Sequence, residues 1–141
     1  AQEVATKLKE EPIDCIYSSQ IQRAIETAQI INEYHNLSII EDERINEKKA
    51  GIEGKALEEY FELEEKAEDI MNFKINDSES WNGLIQRVHS FLNEVIASPH
   101  SIIIIVSHGD PLMSMIQYFT KEEDIFTIEM PRNCEIKEFD I

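Results

Sequence analysis

The sequence predicts an α/β domain: a three-layer, mostly parallel sheet with helices on both faces. Two observations predict it. Short β-branched runs alternate with segments whose apolar residues recur every three or four positions. One run, residues 102–106, is uninterrupted Ile-Ile-Ile-Ile-Val, the mark of a strand covered on both faces. With 141 residues, 42% of them apolar, the chain suits one domain with its own core.

Residues 1–10 read as a helix with Val4, Ala5 and Leu8 on one face, stopped by Pro12. Residues 13–17 read as a short strand. Ser19 and Gln22 form a capping-box pattern, and Ile21, Ala24, Ile25, Ala28 and Ile31 give the stripe of the helix that follows. That helix is expected to end near residues 34–36, before a second strand at 37–40. Residues 42–55 carry charges and two glycines and read as a loop of the kind that carries function.

An acidic helix is expected over 56–73, with Leu57, Tyr60, Phe61, Ala67, Ile70 and Met71 inward. Residues 76–79 form a turn and cap region. Trp81, Leu84, Ile85, Val88, Phe91, Leu92 and Val95 then mark a long amphipathic helix closed by Pro99. After the strand at 102–106, Asp110 is expected to cap, and Pro111 to start, the next helix. Leu112, Met113, Met115, Ile116 and Phe119 face its core. Residues 135–141 alternate and read as a final strand.

The formal net charge of −16 argues against nucleic acid and against anionic membranes as partners. Any anion site must be a local cationic pocket within an acidic shell. Cys15 and Cys134 read as buried thiols. No apolar run approaches membrane-spanning length and no signal peptide is visible, so the cytoplasm is the expected location. His35, His89, His100 and His108 show no ligand spacing; no metal or organic cofactor is expected. His35, His89 and His100 read as surface or capping residues.

Two strand ends could hold one anion between them, because ligands of open α/β sheets bind beyond the carboxyl ends of strands. One is Tyr17-Ser18-Ser19 leading to Arg23; the other is Val106-Ser107-His108-Gly109-Asp110. A cation in the first turn opposes the helix dipole unless an anion sits nearby, and an Arg fork suits phosphate. The other reading of Arg23 is a surface residue paired with a carboxylate. His108 follows a strand directly, where it can donate to an oxyanion or carry a proton; the other reading is a structural histidine near a cap. Gly109 permits close backbone approach or positive φ.

Several segments in order resemble the histidine phosphatase (phosphoglycerate mutase-like) superfamily. Ile16-Tyr17-Ser18-Ser19 with Arg23-Ala24 and Thr27-Ala28 is similar to one of its signatures. So are Ile45-Asn46-Glu47 with Gly51, Glu53 and Gly54, Glu79-Ser80 with Arg87-Val88, and Val106-Ser107-His108-Gly109. Asn133 also fits. The resemblance covers nearly the whole chain and implies the phosphoglycerate mutase-like fold.

It also implies a mechanism. A histidine of an amino-terminal Arg-His-Gly strand attacks phosphorus, and water hydrolyses the resulting phosphohistidine. Carried over, Arg23 and His108 bind the non-bridging oxygens, with Gly109 beside them in the phosphate site. Glu47 matches the acid that protonates the leaving alkoxide and later activates water. Lys48 and Lys49 read as solvated, with a lesser role in steering substrate. Asp110 reads as a helix cap, with a secondary chance of touching substrate.

No Arg-His-Gly occurs in these residues. The expectation is a single domain over 1–141 that misses its first strand, a segment on the order of 20 to 40 residues. A sequence record that omits it, a shortened chain and a non-catalytic relative are the explanations, in that order. Ala50 and Ile52 stand where larger aromatic residues are often seen in the loop, which bears on substrate choice.

The leading expectation is a metal-independent phosphomonoester hydrolase acting on a small phosphorylated metabolite, the 141 residues alone being inactive. A homodimer is compatible with it. Phosphoglycerate mutase-type transfer comes second, because the acid loop has no room for a long lid. A non-catalytic phosphate-binding module and an interaction protein using the acidic helix are the remaining readings.

Overall fold

Three short segments, each containing isoleucine, build the sheet of the computed structural model, which describes residues 1–50, 55–75 and 77–141. They are β1 (Cys15–Ser18), β2 (Ile39–Glu41) and β3 (Ile103–Val106), in the order β2-β1-β3. Both pairings are parallel, with Ile16 opposite Ile39 and Ile104, and Ser18 opposite Glu41 and Val106. Parallel neighbours need crossovers, and the helices supply them.

Successive side chains of a strand point to opposite faces, and the two cores follow that alternation. On one face, Ile16, Ile39, Ile104 and Val106 pack with Val4, Ala5, Ala28 and Ile31 of α1 (Gln2–Leu8) and α2 (Gln22–Asn32). On the other, Tyr17, Ile103 and Ile105 pack beneath α4 (Trp81–Ile96) and α5 (Gly109–Thr120). Leu84, Val88, Phe91 and Leu92 of α4 are almost wholly removed from water. Each such burial is worth about 1.5–3 kcal/mol. This is the expected three-layer arrangement with helices on both faces. Ser80 caps α4 by accepting from the Gly83 N–H at 3.0 Å.

Several expectations are corrected. β3 is half-buried along its length, because it has β1 on one side and no strand on the other among the described residues. Residues 135–141 form no strand: they lack a neighbour to pair with, and Phe139 stacks on Phe119 at 4.7 Å. The acidic helix, α3 (Lys55–Lys66), ends seven residues early. Its carboxylates crowd the negative end of the helix dipole. Asp69 then holds a turn by accepting from the Asn72 backbone and side chain. Tyr60 is buried, but Phe61 is half exposed.

Cys15 is buried as expected, whereas Cys134 is exposed on a left-handed turn of φ 61°. The Gly51, Ile52, Glu53 and Gly54 positions of the expected loop, and Asn76 of the expected cap region, lie outside the described residues.

Candidate active site

The two strand ends stop level with each other and are stitched together. The Ser19 N–H extends the β1–β3 ladder by donating to the Val106 carbonyl at 3.0 Å. Beyond it the chain turns into α2, where Arg23 is the second residue and exposed. The parallel turn after β3 leads through Ser107 and His108 into α5. His108, not Asp110, occupies the N-cap position, and Asp110 and Pro111 fall within the first turn.

Ser19 does not cap α2; that helix starts without a side-chain cap. Its hydroxyl accepts from the Ile21 N–H at 3.2 Å and pairs with His108 Nε2 at 2.6 Å. Ser19 is fully buried and His108 is 7% exposed. Burial, and after it the nearby charge of Arg23, push the His108 imidazole down to about 4. The ring is therefore neutral at pH 7, a donor through one nitrogen only. The structure thus brings Arg23 and His108 into one electrostatic neighbourhood.

Glu47 reaches the same place from a third direction. A short 3-10 turn at Glu43–Ile45, opened by Asp42 accepting from the Arg44 N–H at 2.9 Å, delivers it from β2. The Ser107 hydroxyl donates to the Ile45 carbonyl at 2.6 Å and ties this loop to the β3 end. Arg23, Glu47 and Asp110 then share the wall of an open cavity of about 1120 Å³. Burial, reinforced by the charge of Glu47, raises the Asp110 carboxyl to about 6.

Lys48 is not solvated. Its side chain is 5% exposed, and its ammonium donates to Tyr60 Oη at 3.0 Å and Glu64 Oε2 at 2.9 Å. Tyr60 donates to the same carboxylate oxygen at 2.8 Å. The Tyr60 and Trp81 ring centres each lie 5.3 Å from the ammonium. Burial alone would lower this amine; the bonds to Tyr60 and Glu64 outweigh it and keep it charged. Lys49 is exposed as expected.

Neither packing nor backbone requires a glycine at position 109, because Met130 is an exposed, flexible side chain free to move aside. A Cβ there would meet the Met130 sulfur at 2.9 Å, and its φ is not left-handed. Among the described residues, no cluster of three or more His, Cys, Asp or Glu is arranged to hold a metal. No described helix is long and apolar enough to cross a membrane.

Not foreseen from the sequence are Ser19 as a partner of His108, the burial of Lys48, and the contacts of Arg87, a residue quoted only as part of a motif. The Arg87 guanidinium donates to the backbone carbonyls of Arg44 at 2.6 Å and Asn46 at 2.8 Å. A spacing of four between Tyr60 and Glu64 was the available signal for the Lys48 cluster, since it sets both on one helical face.

Arg23, Glu47 and Asp110 line one cavity, and the buried His108 imidazole lies within reach of the Arg23 charge. The family model of the histidine phosphatase superfamily (branch 1) matches residues 1–141, and the chain belongs to that superfamily. It is 32% identical to a 2,3-bisphosphoglycerate-dependent phosphoglycerate mutase of Thermoplasma acidophilum, over all of this chain and 70% of that protein. It is 32% identical to phosphoserine phosphatase 1 of Hydrogenobacter thermophilus, over 79% of this chain and 56% of that one. The putative phosphoserine phosphatase 2 of the same organism is 30% identical, over 83% and 61%.

Among solved structures, a mycobacterial glucosyl-3-phosphoglycerate phosphatase superposes with a TM-score of 0.76 at 21% identity, over 94% of this chain and 72% of that one. YhfR of Bacillus stearothermophilus gives 0.76 at 21%, over 94% and 70%. These likenesses establish the phosphoglycerate mutase-like fold. The family and the relatives it shares are phosphatases and mutases.

Proposed function

We propose that the full-length protein is a cytoplasmic phosphomonoester hydrolase acting through a phosphohistidine on a small phosphorylated metabolite. One observation carries this reading: Arg23 shares a cavity wall with Glu47, and its charge reaches the buried His108 imidazole, 85 residues further along the chain, which Ser19 holds at the β1 end. Arg23 and the His108 N–H hold the non-bridging oxygens and offset charge as it moves between the attacking and leaving groups. The attacking imidazole belongs to an Arg-His-Gly strand, which these residues do not contain. The unpaired side of β3 is where such a strand would add to the sheet.

As the phosphorus–oxygen bond breaks and the phosphorus–nitrogen bond forms, Glu47 gives its proton to the departing alkoxide. Glu47 then takes a proton from the water that attacks phosphohistidine, and inorganic phosphate leaves. Every charge in this scheme is met by side chains and helix ends, so no metal is required. A small phosphorylated molecule, not a nucleic acid, is the partner, in keeping with a net charge of −16.

The test is hydrolysis of phosphomonoesters by the full-length protein in EDTA, with vanadate inhibition and an acid-labile phosphoenzyme trapped by rapid quenching. Loss of activity in EDTA, or turnover without a phosphoenzyme, would overturn the reading. The mutase relative supports a second reading, phosphoryl transfer between positions of one phosphorylated acid. Labelled 3-phosphoglycerate and phosphoserine separate the two: hydrolysis releases inorganic phosphate, transfer returns the label in an isomer.

A further inference from the structure

We propose that Arg87, held by Glu79, is a positioning residue that sets the place of the Glu47 carboxyl for proton transfer. The inference rests on the role of Glu47 given above.

Arg87 lies in the second turn of α4, half-buried, with its guanidinium against residues 44–47. Nη1 donates to the Arg44 carbonyl at 2.6 Å; Nη2 donates to the Asn46 carbonyl at 2.8 Å and reaches that of Glu47 at 3.4 Å. The opposite edge of the fork meets one carboxylate: Nε to Glu79 Oε2 at 2.6 Å and Nη2 to Oε1 at 2.9 Å. Glu79 binds the same loop with its backbone, donating to the Lys49 carbonyl at 2.7 Å. Its carboxylate also accepts from the Lys49 N–H at 3.4 Å. Both partners thus spend their polar groups on residues 44–49.

This arrangement is not that of a phosphate ligand. The charge of Arg87 is already met by Glu79, and its donors point at carbonyls. Nor is it an ordinary surface ion pair, which would leave those carbonyls to water. A planar fork with several donors can fix consecutive peptide groups in a way an ammonium cannot. The Glu47 peptide is one of them, so rotating this loop would carry the carboxyl away from the reacting oxygen. A misplacement of about 1 Å can cost about 100-fold in rate.

The experiment compares R87K, E79Q and E47Q in the full-length protein, on an alkyl phosphate and on p-nitrophenyl phosphate. The nitrophenolate departs without a proton, so only the alkyl ester needs the acid in the first step, which kcat/KM reports; the later activation of water by Glu47 is common to both esters. R87K and E79Q are expected to lower kcat/KM for the alkyl ester by about 10- to 100-fold, leaving kcat/KM for the nitrophenyl ester nearly as in the parent. Equal losses of kcat/KM on both esters would overturn the proposal in favour of a purely structural role or a substrate contact. Should R87K unfold, by circular dichroism, E79Q carries the test alone. If E47Q itself shows no leaving-group dependence, the acid role of Glu47 falls and this inference with it. If E47Q shows it while R87K and E79Q match the parent, only the positioning role falls.

Discussion

The Ser19 hydroxyl stands 2.6 Å from His108 Nε2, and both groups are shut off from solvent. Because the hydroxyl already accepts from the Ile21 N–H, its own proton is free to point at the imidazole. The neutral ring would then carry its proton on Nδ1. Nitrogen NMR of the full-length protein is expected to find the Nδ1–H tautomer at pH 7. S19A should lose that preference and lower kcat by about tenfold, the scale of one buried hydrogen bond. An Nε2–H tautomer in the parent would contradict this.

Arg23 is exposed and lines the cavity. R23A is expected to reduce kcat/KM by about 100- to 1,000-fold, as removal of a donor to transition-state charge does. R23K should recover part of the charge and little of the bidentate geometry. Steady-state kinetics with several leaving groups should show the same loss for each, because the contact is with the phosphoryl group. Unchanged kcat/KM would remove Arg23 from the site.

Lys48, Tyr60 and Glu64 make a buried ion pair within an aromatic wall. Removing one partner strands a charge away from water. K48M should therefore destabilise the full-length protein by about 3 kcal/mol or more in denaturant titrations. Replacing both, as K48M/E64L, should recover most of that loss. Equal destabilisation by the single and double variants would show that the ion pair is not the cause.

His108 and Asp110 make opposite contributions to the pH dependence of stability. The folded imidazole titrates near 4 and the unfolded one near 6.5, so the unfolded state binds the extra proton between them. Stability from this group falls as pH drops through that window. The Asp110 carboxyl titrates near 6 when folded and near 3.8 when not. Its contribution is complete below 3.8 and is lost as pH rises through 6. Replacing Asp110 with Asn removes the second effect alone. The melting temperature of D110N minus that of the parent should therefore be more positive at pH 8 than at pH 5. The opposite order would refute the burial assigned to Asp110.

The elements that position the site were legible because they rest on local patterns. The Ile and Val runs marked the strands, and Leu84, Val88 and Phe91 marked the inner face of α4. An Arg in the first turn of α2 pointed equally to an anion and to a partner carboxylate. Ser19 was misread because a serine three residues before a glutamine looks like a cap. Its competing partner, His108, lies 89 residues away, and nothing local reports it. A lysine in a charged loop likewise gives no hint that Tyr60 and Trp81 cover it. The alternation of 135–141 was real but insufficient, since a strand also needs a partner.

The helix that carries Arg87 also carries, one residue on, a side chain sealed in the interior: Val88 is fully buried, and Phe91 meets the Tyr17 ring edge-on at 5.2 Å. A methyl lost from that interior would tilt the rod and be felt at a carboxylate it never touches. On the proposed role of Glu47, proton transfer would thus respond to substitutions in this close-packed interior, with every residue that lines the cavity left as it is.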